Sequence, residues 1–389
     1  MTDFFHDIGY KSINHFGEQL CGDHVVIKRS DANGTVVVLA DGLGSGVKAS
    51  ILSTLTSTII GTLLSEGLSV TDCVDTIVAT LPVCQDRNVA YSTFTIIHIK
   101  GSTADIIQYD NPPLVFLRNG RNYNYITREV TVCDKKLLLS TVPLRENDTL
   151  VAFSDGCPYA GPAQTLNMLW KQEDIVSFLE TYSAVGYSAK TLATMLVDEC
   201  NRLYNDTPGD DTTALAIHIK SRQPVNIFFG PPVDQSRENE IFKEFFALPG
   251  RHVVCGGTTA KIAASVLKKP VVPENSSPDP LVPPISKIEG VDLVTEGIVT
   301  MSKVLEYAND YTGANELYTD WAFMRDGASL LSRMLFEDAT DVTFYAGQAV
   351  NEAHNENMGD FSYEKKALVL VELSEKLKES GKTVKIKNV

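Results

Sequence analysis

Three acidic segments of this sequence lie at the ends of apolar stretches of strand character. Asp41 follows "VVVLA" and precedes Gly42, and Asp155 follows "LVAFS". Asp210 and Asp211 stand immediately before "TTALAIHIK", a third stretch of this kind. Because the end of one strand lies beside the start of its neighbour in an antiparallel sheet, we expect these carboxylates to converge at one sheet edge.

Such a group of carboxylates needs a cation. Without a nearby lysine or arginine the carboxylates repel one another, and oxygen ligands select hard ions such as Mg²⁺ or Mn²⁺ rather than Zn²⁺. Gly42 would let its carbonyl turn toward such an ion. Two ions about 4 Å apart would hold a water between them and lower its pKa, so that hydroxide can attack phosphorus. A lone Asp-Gly pair is more often a turn, but three acidic turns in matching strand context predict a metal site. This pattern leaves the substrate open.

The segments around these residues predict the fold of residues 1–220. Short stretches rich in β-branched residues alternate with turn signals, and two longer stretches have helical spacing. The predicted strands are "HVVIKR", "TVVVLA", "FTIIHIK", "DIIQYD", "LVFLRNG", "TLVAFSDG" and "TALAIHIK". Strands joined by short turns form antiparallel sheets, with helices packed over them. We therefore predict an α+β fold, an antiparallel β-sandwich flanked by helices.

A second domain is predicted over residues 224–389, after a boundary within 221–235. Its segments "VNIFFGPP", "RHVVCGG" and "DVTFYAGQAVNEAHN" indicate strands that run into glycine or polar loops, with helices between them, as in an α/β domain. Residues 270–286 are rich in proline and are predicted to be a loop.

A ligand site is expected in this α/β domain, because loops at the carboxyl ends of parallel strands gather where ligands bind. The amides of Gly256 and Gly257 could hold an anion or a nucleotide at the start of a helix, with Thr295 and Glu296 as polar contacts in a flexible wall. Tight packing of the glycine turns in a docking or dimerisation module explains the same residues equally well.

Composition limits the partners and the compartment. The net charge of −15 argues against nucleic acid and anionic membranes as partners. No signal peptide is visible at the start, and no apolar run approaches the roughly 20 residues needed to span a bilayer. The seven cysteines are scattered without a CxxC pair, which is typical of a cytoplasmic protein.

The motifs "ADGLGSG", "SDG" and "GDDTTALAI", in this order, resemble those of the metal-dependent Ser/Thr protein phosphatases (PPM), specifically the bacterial SpoIIE branch. "CGDHVVI", "YSTFTIIHI" and "YDNPPLVFLRNG" are similar to other segments of that branch. The resemblance covers about residues 8–220. The second domain is of a type found attached to such phosphatases, and we interpret it as a sensory or docking domain.

The resemblance implies roles for individual residues. Asp41 would bridge two Mn²⁺ or Mg²⁺ ions, and the Gly42 carbonyl would bind one of them. Asp155 and Asp210 would bind the other ion. These three aspartates are the predicted catalytic residues.

Two further acidic positions are less directly implied. Asp211 takes the place of an Asn or a second Asp in the family motif, and Asp23 matches an acidic residue that meets metal-bound water. The arginine with which larger relatives bind the substrate phosphate has no counterpart, since only Lys11 precedes "CGD".

The implied function is metal-dependent hydrolysis of phosphoserine or phosphothreonine on a regulatory protein, for which the family's usual targets suggest a phosphorylated anti-sigma antagonist. Two alternatives stay open. One is a degenerate phosphatase fold that acts as a signalling binding module. The other is a phosphodiesterase or nucleotide hydrolase that uses the same two metals.

Overall fold

The computed structural model describes residues 4–80, 92–132, 135–161, 170–183, 185–274, 277–349 and 363–389. Tyr91 of "YSTFTIIHI" and residues 350–355 of "DVTFYAGQAVNEAHN" lie outside these ranges. The chain divides into two units, Met1–Ser221 and Arg222–Val389, which we call unit 1 and unit 2.

Unit 1 contains two antiparallel sheets and four helices within the described residues. The strands are β1 (Phe5–Ile13), β2 (Asp23–Ser30), β3 (Gly34–Gly42), β4 (Ser92–Lys100), β5 (Thr103–Tyr109), β6 (Val115–Arg118), β7 (Arg121–Asn122), β8 (Arg128–Val132), β9 (Lys135–Pro143), β10 (Asp148–Phe153) and β11 (Thr212–Lys220). The helices are α1 (Gly46–Ser65), α2 (Val70–Thr80), α3 (Gln172–Ser183) and α4 (Ala189–Leu203). One sheet has the order β2-β3-β4-β5-β9-β8, and the other β1-β11-β10-β6-β7.

The side chains of β3 show how the layers are built. Val37 and Leu39 point to one face and pack with Leu215 and Ile217 of β11, so the two sheets face each other across this core. Alternate residues of β3 point to the opposite face, where α1 and α2 cover them, as in the cluster that contains Val38. A similar cluster packs α3 and α4 against the outer face of the other sheet. The predicted α+β sandwich flanked by helices is confirmed.

Two details of unit 1 differ from the prediction. The strands β1, β7, β8 and β9 were not predicted. The second helical stretch, predicted as one helix over residues 173–204, is two helices. Ser188 has extended backbone angles, and its Oγ accepts a hydrogen bond from the Thr191 N–H, which starts α4 as a new helix.

Helix α1 corrects the expectation that no segment is long and apolar enough to cross a bilayer. Among the described helices it alone meets that criterion by length and composition, with a mean hydropathy of 1.4 over 18 residues. The core helix of a soluble protein meets the same criterion, and Ile60 and Leu64 of α1 pack against the sheet.

Unit 2 is built on one mainly parallel sheet. Its strands are β12 (Pro224–Phe229), β13 (Arg251–Cys255), β14 (Val272–Pro273), β15 (Ser286–Lys287), β16 (Leu293–Thr295), β17 (Asp341–Ala346) and β18 (Thr383–Asn388). Its helices are α5 (Glu238–Phe246), α6 (Gly257–Leu267), α7 (Ile298–Thr312), α8 (Tyr318–Ala322), α9 (Gly327–Arg333) and α10 (Tyr363–Glu379). The strand order is β14-β15-β16-β13-β12-β17-β18, and the five strands from β16 to β18 in this order pair in parallel.

The direction of winding reverses beside β12. From this strand the chain moves outward through β13 to β16, and it then returns to β17 and β18 on the other side. Phe228 packs with α5 and α6 on one face of the sheet, while Ile227 packs with α7, α9 and α10 on the other. Unit 2 therefore has helices on both faces of its sheet.

Two segments of unit 2 differ from the sequence-based expectation. The proline-rich stretch 270–286 was predicted to be a loop, but it contains β14 and the start of β15. The expected flexible wall around Thr295 is part of the sheet, because Thr295 is the last residue of β16 and is buried.

Candidate metal centre

Asp41 and Gly42 end strand β3 at the start of the loop to α1. A Cβ atom on Gly42 would lie 2.1 Å from the carbonyl oxygen of Ala49, so the helix can approach only because this residue is glycine. The Gly42 N–H donates to the carbonyl of Gly22. This packing fixes the end of β3 against α1 and the start of β2, and with it the backbone of Asp41.

Asp23 lies directly opposite Asp41. The two residues are register partners in the antiparallel pair of β2 and β3. Asp23 is buried, and its Oδ2 accepts a hydrogen bond of 2.7 Å from Ser154 Oγ. Its other oxygen, Oδ1, is buried and has no hydrogen-bond partner among the described residues.

Ser154 and Asp155 follow β10 in the other sheet. The Ser154 N–H donates to the Thr213 carbonyl, and the Thr213 N–H donates to Ser154 Oγ at 2.9 Å. Ser154 thus connects β11 to Asp23 of the facing sheet. A Cβ on Gly156 would lie 2.3 Å from the Asp211 carbonyl oxygen, so the turn after Asp155 packs directly on the start of β11.

Asp210 and Asp211 precede β11 at the same edge. Asp211 is buried, and its Oδ1 accepts from the backbone N–H of His15 at 3.0 Å. Its Oδ2 has no hydrogen-bond partner within the described ranges and lies 2.6 Å from where a Cβ on Gly22 would be. Asp210 Oδ1 accepts from the Asp211 N–H. The six metal-site residues predicted from the sequence therefore come together at one edge of the sandwich, as a group that we call the acidic cluster. Its members are Asp23, Asp41, Gly42, Asp155, Asp210 and Asp211.

The electrostatics of the acidic cluster disfavour its charged form. Burial, followed by repulsion from the other four aspartates, raises the pKa of Asp41 to about 9. Burial raises the pKa of Asp23 to about 8, although the hydrogen bond from Ser154 opposes this shift. Burial and the charge of Asp155 raise the pKa of Asp210 to about 6, and burial also raises the pKa of Asp155. In the described part of the chain, no lysine, arginine or histidine forms an ion pair with these aspartates.

These observations fit a divalent cation. The donors are oxygen atoms, two of them are buried without a partner, and a cation would remove the repulsion that raises the pKa values. The cluster is not a ready coordination sphere, however. Within the described residues, no three His, Cys, Asp or Glu side chains are arranged as a metal-binding group.

Sequence reasoning missed two features of this site. It assigned no role to Ser154, whereas the hydroxyl of this residue donates a hydrogen bond to Asp23. It also missed Glu18, whose carboxylate lies 2.3 Å from where a Cβ on Gly46 would be, at the first residue of α1. The "SDG" motif could have indicated Ser154, since it places a hydroxyl next to a predicted ligand; no local signal indicates Glu18.

The predicted ligand-binding glycines belong to unit 2. Gly256 is the N-cap of α6, with a φ of +115° that favours glycine. Its N–H donates to the Thr295 carbonyl at 3.0 Å, so this amide cannot contact an anion as expected. Gly257, by contrast, is the first residue of α6 and is exposed.

Residues 31–220 match the family model of Stage II sporulation protein E (SpoIIE). This part of the chain is therefore a SpoIIE-type domain, of the metal-dependent phosphatase family and fold. No curated protein matches the sequence.

Solved structures resemble this chain at low identity. The phosphatase domain of the cell fate determinant SpoIIE from Bacillus subtilis is 18% identical, with 58% of this chain and 96% of that chain covered and a TM-score of 0.43. RsbX in complex with magnesium is 17% identical, over 57% and 98% of the two chains, with a TM-score of 0.38. The catalytic domain of the phosphatase PstP with two manganese ions is 15% identical, over 56% and 99%, with a TM-score of 0.39. The family match, and not these likenesses, identifies the domain.

Proposed function

We propose that unit 1 is a metal-dependent phosphatase that hydrolyses phosphoserine or phosphothreonine on a regulatory protein. The observation that carries this proposal is the pair of buried carboxylate oxygens without partners, Oδ1 of Asp23 and Oδ2 of Asp211, within a cluster of five aspartates. A fold that buries such atoms is stabilised when a cation binds them. The match to the SpoIIE family supports the same reaction class.

The acidic cluster would hold two Mn²⁺ or Mg²⁺ ions. Asp41 and the Gly42 carbonyl would contribute from β3, and Asp155, Asp210 and Asp211 from the facing sheet. When bound, the ions lower the pKa of a water and neutralise the charge of the phosphoryl group. Asp23, fixed by Ser154, would accept a hydrogen bond from water in the site.

The surroundings of the site favour a protein substrate over a small nucleotide. Leu43 and Val47, in the loop and first turn after Asp41, are 41% and 60% exposed. Tyr159, four residues after Asp155, and Phe16, whose N–H donates to the Pro208 carbonyl near Asp210, are also exposed. Exposed apolar residues around a polar site are typical of a surface that binds another protein. A phosphorylated anti-sigma antagonist in the cytoplasm is the substrate we propose.

Phosphatase assays on the full chain test this proposal. We expect hydrolysis of a phosphoserine peptide with Mn²⁺ or Mg²⁺, loss of activity with a chelator, and loss by orders of magnitude in Asp41→Asn. Asp110→Asn is the matched control, because this exposed residue with a φ of +55° accommodates asparagine. Activity that survives chelation would contradict the proposal.

The same assays separate the two alternatives. If Mn²⁺ binds in calorimetry but no phosphopeptide or aryl phosphate is hydrolysed, unit 1 is a binding module. If nucleotides or phosphodiesters are hydrolysed faster than phosphopeptides, the two-metal chemistry serves another substrate class.

A further inference from the structure

The winding reversal of unit 2 places a lysine at the carboxyl ends of two neighbouring strands. Lys366, on the first turn of α10, donates a hydrogen bond from Nζ to the Gly347 carbonyl just after β17. The Nζ atom also lies 5.0 Å from the ring centroid of Phe229, the last residue of β12. A Cβ on Gly230 would lie 1.9 Å from Nζ, so the lysine reaches this position only because residue 230 is glycine.

Lys366 lacks a counter-ion in the described part of the chain. It forms no ion pair with a carboxylate there, and burial lowers the pKa of its ammonium to about 8. A partly desolvated ammonium that has a carbonyl as its partner is less stable than one paired with an anion. Its position therefore indicates a missing negative charge.

Two helices begin close to the Phe229 ring. A Cβ on Gly297, the N-cap of α7, would lie 3.6 Å from Gly256 Cα and 4.0 Å from Cε2 of Phe229. The N-termini of α6 and α7 are therefore adjacent, and both present partial positive charge at this edge of the sheet. The partial positive charge at the N-terminus of α7 is already compensated, because the Gly297 N–H donates to the carboxylate of Glu296. No side chain caps α6, and its first turn contains no acidic residue.

A buried hydroxyl at the start of α6 also lacks a partner. The side chain of Thr259, the third residue of this helix, is fully buried, and its Oγ1 has no hydrogen-bond partner among the described residues. This oxygen lies 3.2 Å from where a Cβ on Gly256 would be, so it points back toward the N-terminus of the helix. An unsatisfied buried hydroxyl is unfavourable, and an acceptor atom at the helix start would satisfy it.

We propose that unit 2 binds a small phosphate-bearing molecule at the carboxyl edge of its sheet. The phosphate lies at the N-terminus of α6, where it accepts from the amides of Gly257 and Thr258 and from the Thr259 hydroxyl. Lys366, whose Nζ lies 5.0 Å from the Phe229 ring centroid, supplies the compensating charge. A cleft of about 270 Å³ lies on the α10 side of Lys366 and is lined also by Gln348 and Leu370.

Hydrogen–deuterium exchange of the full chain, with inorganic phosphate as the probe, tests this site. A chelator is present so that phosphate bound through metal ions in unit 1 is not measured, and chloride at equal ionic strength is the reference. At ten times its Kd, phosphate should slow exchange of the amides at residues 257–259 roughly tenfold. The amides at residues 298–300 of α7 should change less, because the Glu296 carboxylate already lies at the start of that helix.

Two variants and a matched control decide the assignment. Lys366→Met and Thr259→Val should each weaken the protection by phosphate, while Lys365→Met, which removes the same charge from the preceding residue, should not. The proposal is overturned if residues 257–259 are not protected at any phosphate concentration, or if Lys366→Met and Lys365→Met respond alike. Protection by acetate but not by phosphate would also overturn it, because the ligand would then be a carboxylate.

Discussion

Asp23 and Asp41 lie opposite each other in the register of β2 and β3, and Ser154 from the facing sheet holds Asp23 through a 2.7 Å hydrogen bond. One serine hydroxyl thus links the two halves of the acidic cluster. Its donation to Asp23 Oδ2 leaves Oδ1, the partnerless oxygen, fixed in the site.

Replacement of Ser154 should impair both stability and metal binding. Ser154→Ala leaves Asp23 Oδ2 and the Thr213 N–H without their partner, which should lower the free energy of unfolding by about 1–3 kcal/mol. The affinity for Mn²⁺ should fall about 10–100-fold, as for other residues that orient a ligand. Urea unfolding and calorimetric titration measure these effects. Ser177→Ala on the exposed face of α3 is the control, and equal effects in both variants would contradict the role of Ser154.

The stability of the metal-free protein should decrease as the pH rises. The pKa values of Asp210, Asp23 and Asp41 in the folded state are about 6, 8 and 9, above the roughly 3.9 of an unfolded aspartate. The folded state therefore binds more protons than the unfolded state between about pH 3.9 and these values, and its stability falls as the pH rises from about 4 to about 9. Urea midpoints measured with a chelator should fall over this range, and Mn²⁺ should restore them. Midpoints that rise with pH in the chelator would contradict the prediction.

Substitution of Gly42 by alanine should destabilise the protein more than the same substitution of Gly44 in the same loop. Gly42→Ala places a Cβ 2.1 Å from the Ala49 carbonyl and must displace α1 or the end of β3. A Cβ on Gly44 meets nothing within 4 Å, so Gly44→Ala adds only the strain of its φ of +91°, about 1–2 kcal/mol. Thermal unfolding should rank the two variants in this order. If Gly44→Ala were the less stable variant, backbone strain at Gly44 would matter more than the packing of Gly42 on α1.

A fragment of residues 1–221 should fold and retain the proposed metal-dependent activity. The clusters that build the sandwich and its helices consist of residues from unit 1 alone. The acidic cluster also draws all its members from this unit. Circular dichroism and the phosphopeptide assay of the fragment check this. An unfolded fragment would show that our domain assignment, 1–220 and 224–389, does not reflect independent folding.

The sequence predicted the sandwich well because its central strands carry strong local signals. "VVVLA" and "LVAFS" are apolar on both faces and end at acidic turns. The strands could therefore be predicted, and the convergence of their carboxylates followed from the place of each aspartate at a strand end. Strand β9 was missed because its sequence "KKLLLSTVP" does not alternate regularly between apolar and polar residues, and its position depends on pairing with β5.

The polar contacts that complete each site could not be derived from the sequence. Ser154 and Asp23 are 131 residues apart in the chain, so only the stacking of the sheets brings them into contact. Lys366 is one lysine among several on α10, and only the backbone approach at Gly230 and Gly347 distinguishes it. The prediction that the Gly256 amide binds an anion was wrong because pairing with Thr295 uses that N–H.

The link from Ser154 to Asp23 also constrains the order of folding. In a metal site formed by one continuous loop, the ion can bind before the rest of the chain is structured. Here the carboxylates come from strands of two different sheets, and the sheets must stack before these groups meet. We therefore expect metal capture to be a late step in folding, and a chain with misaligned sheets to lack a complete site.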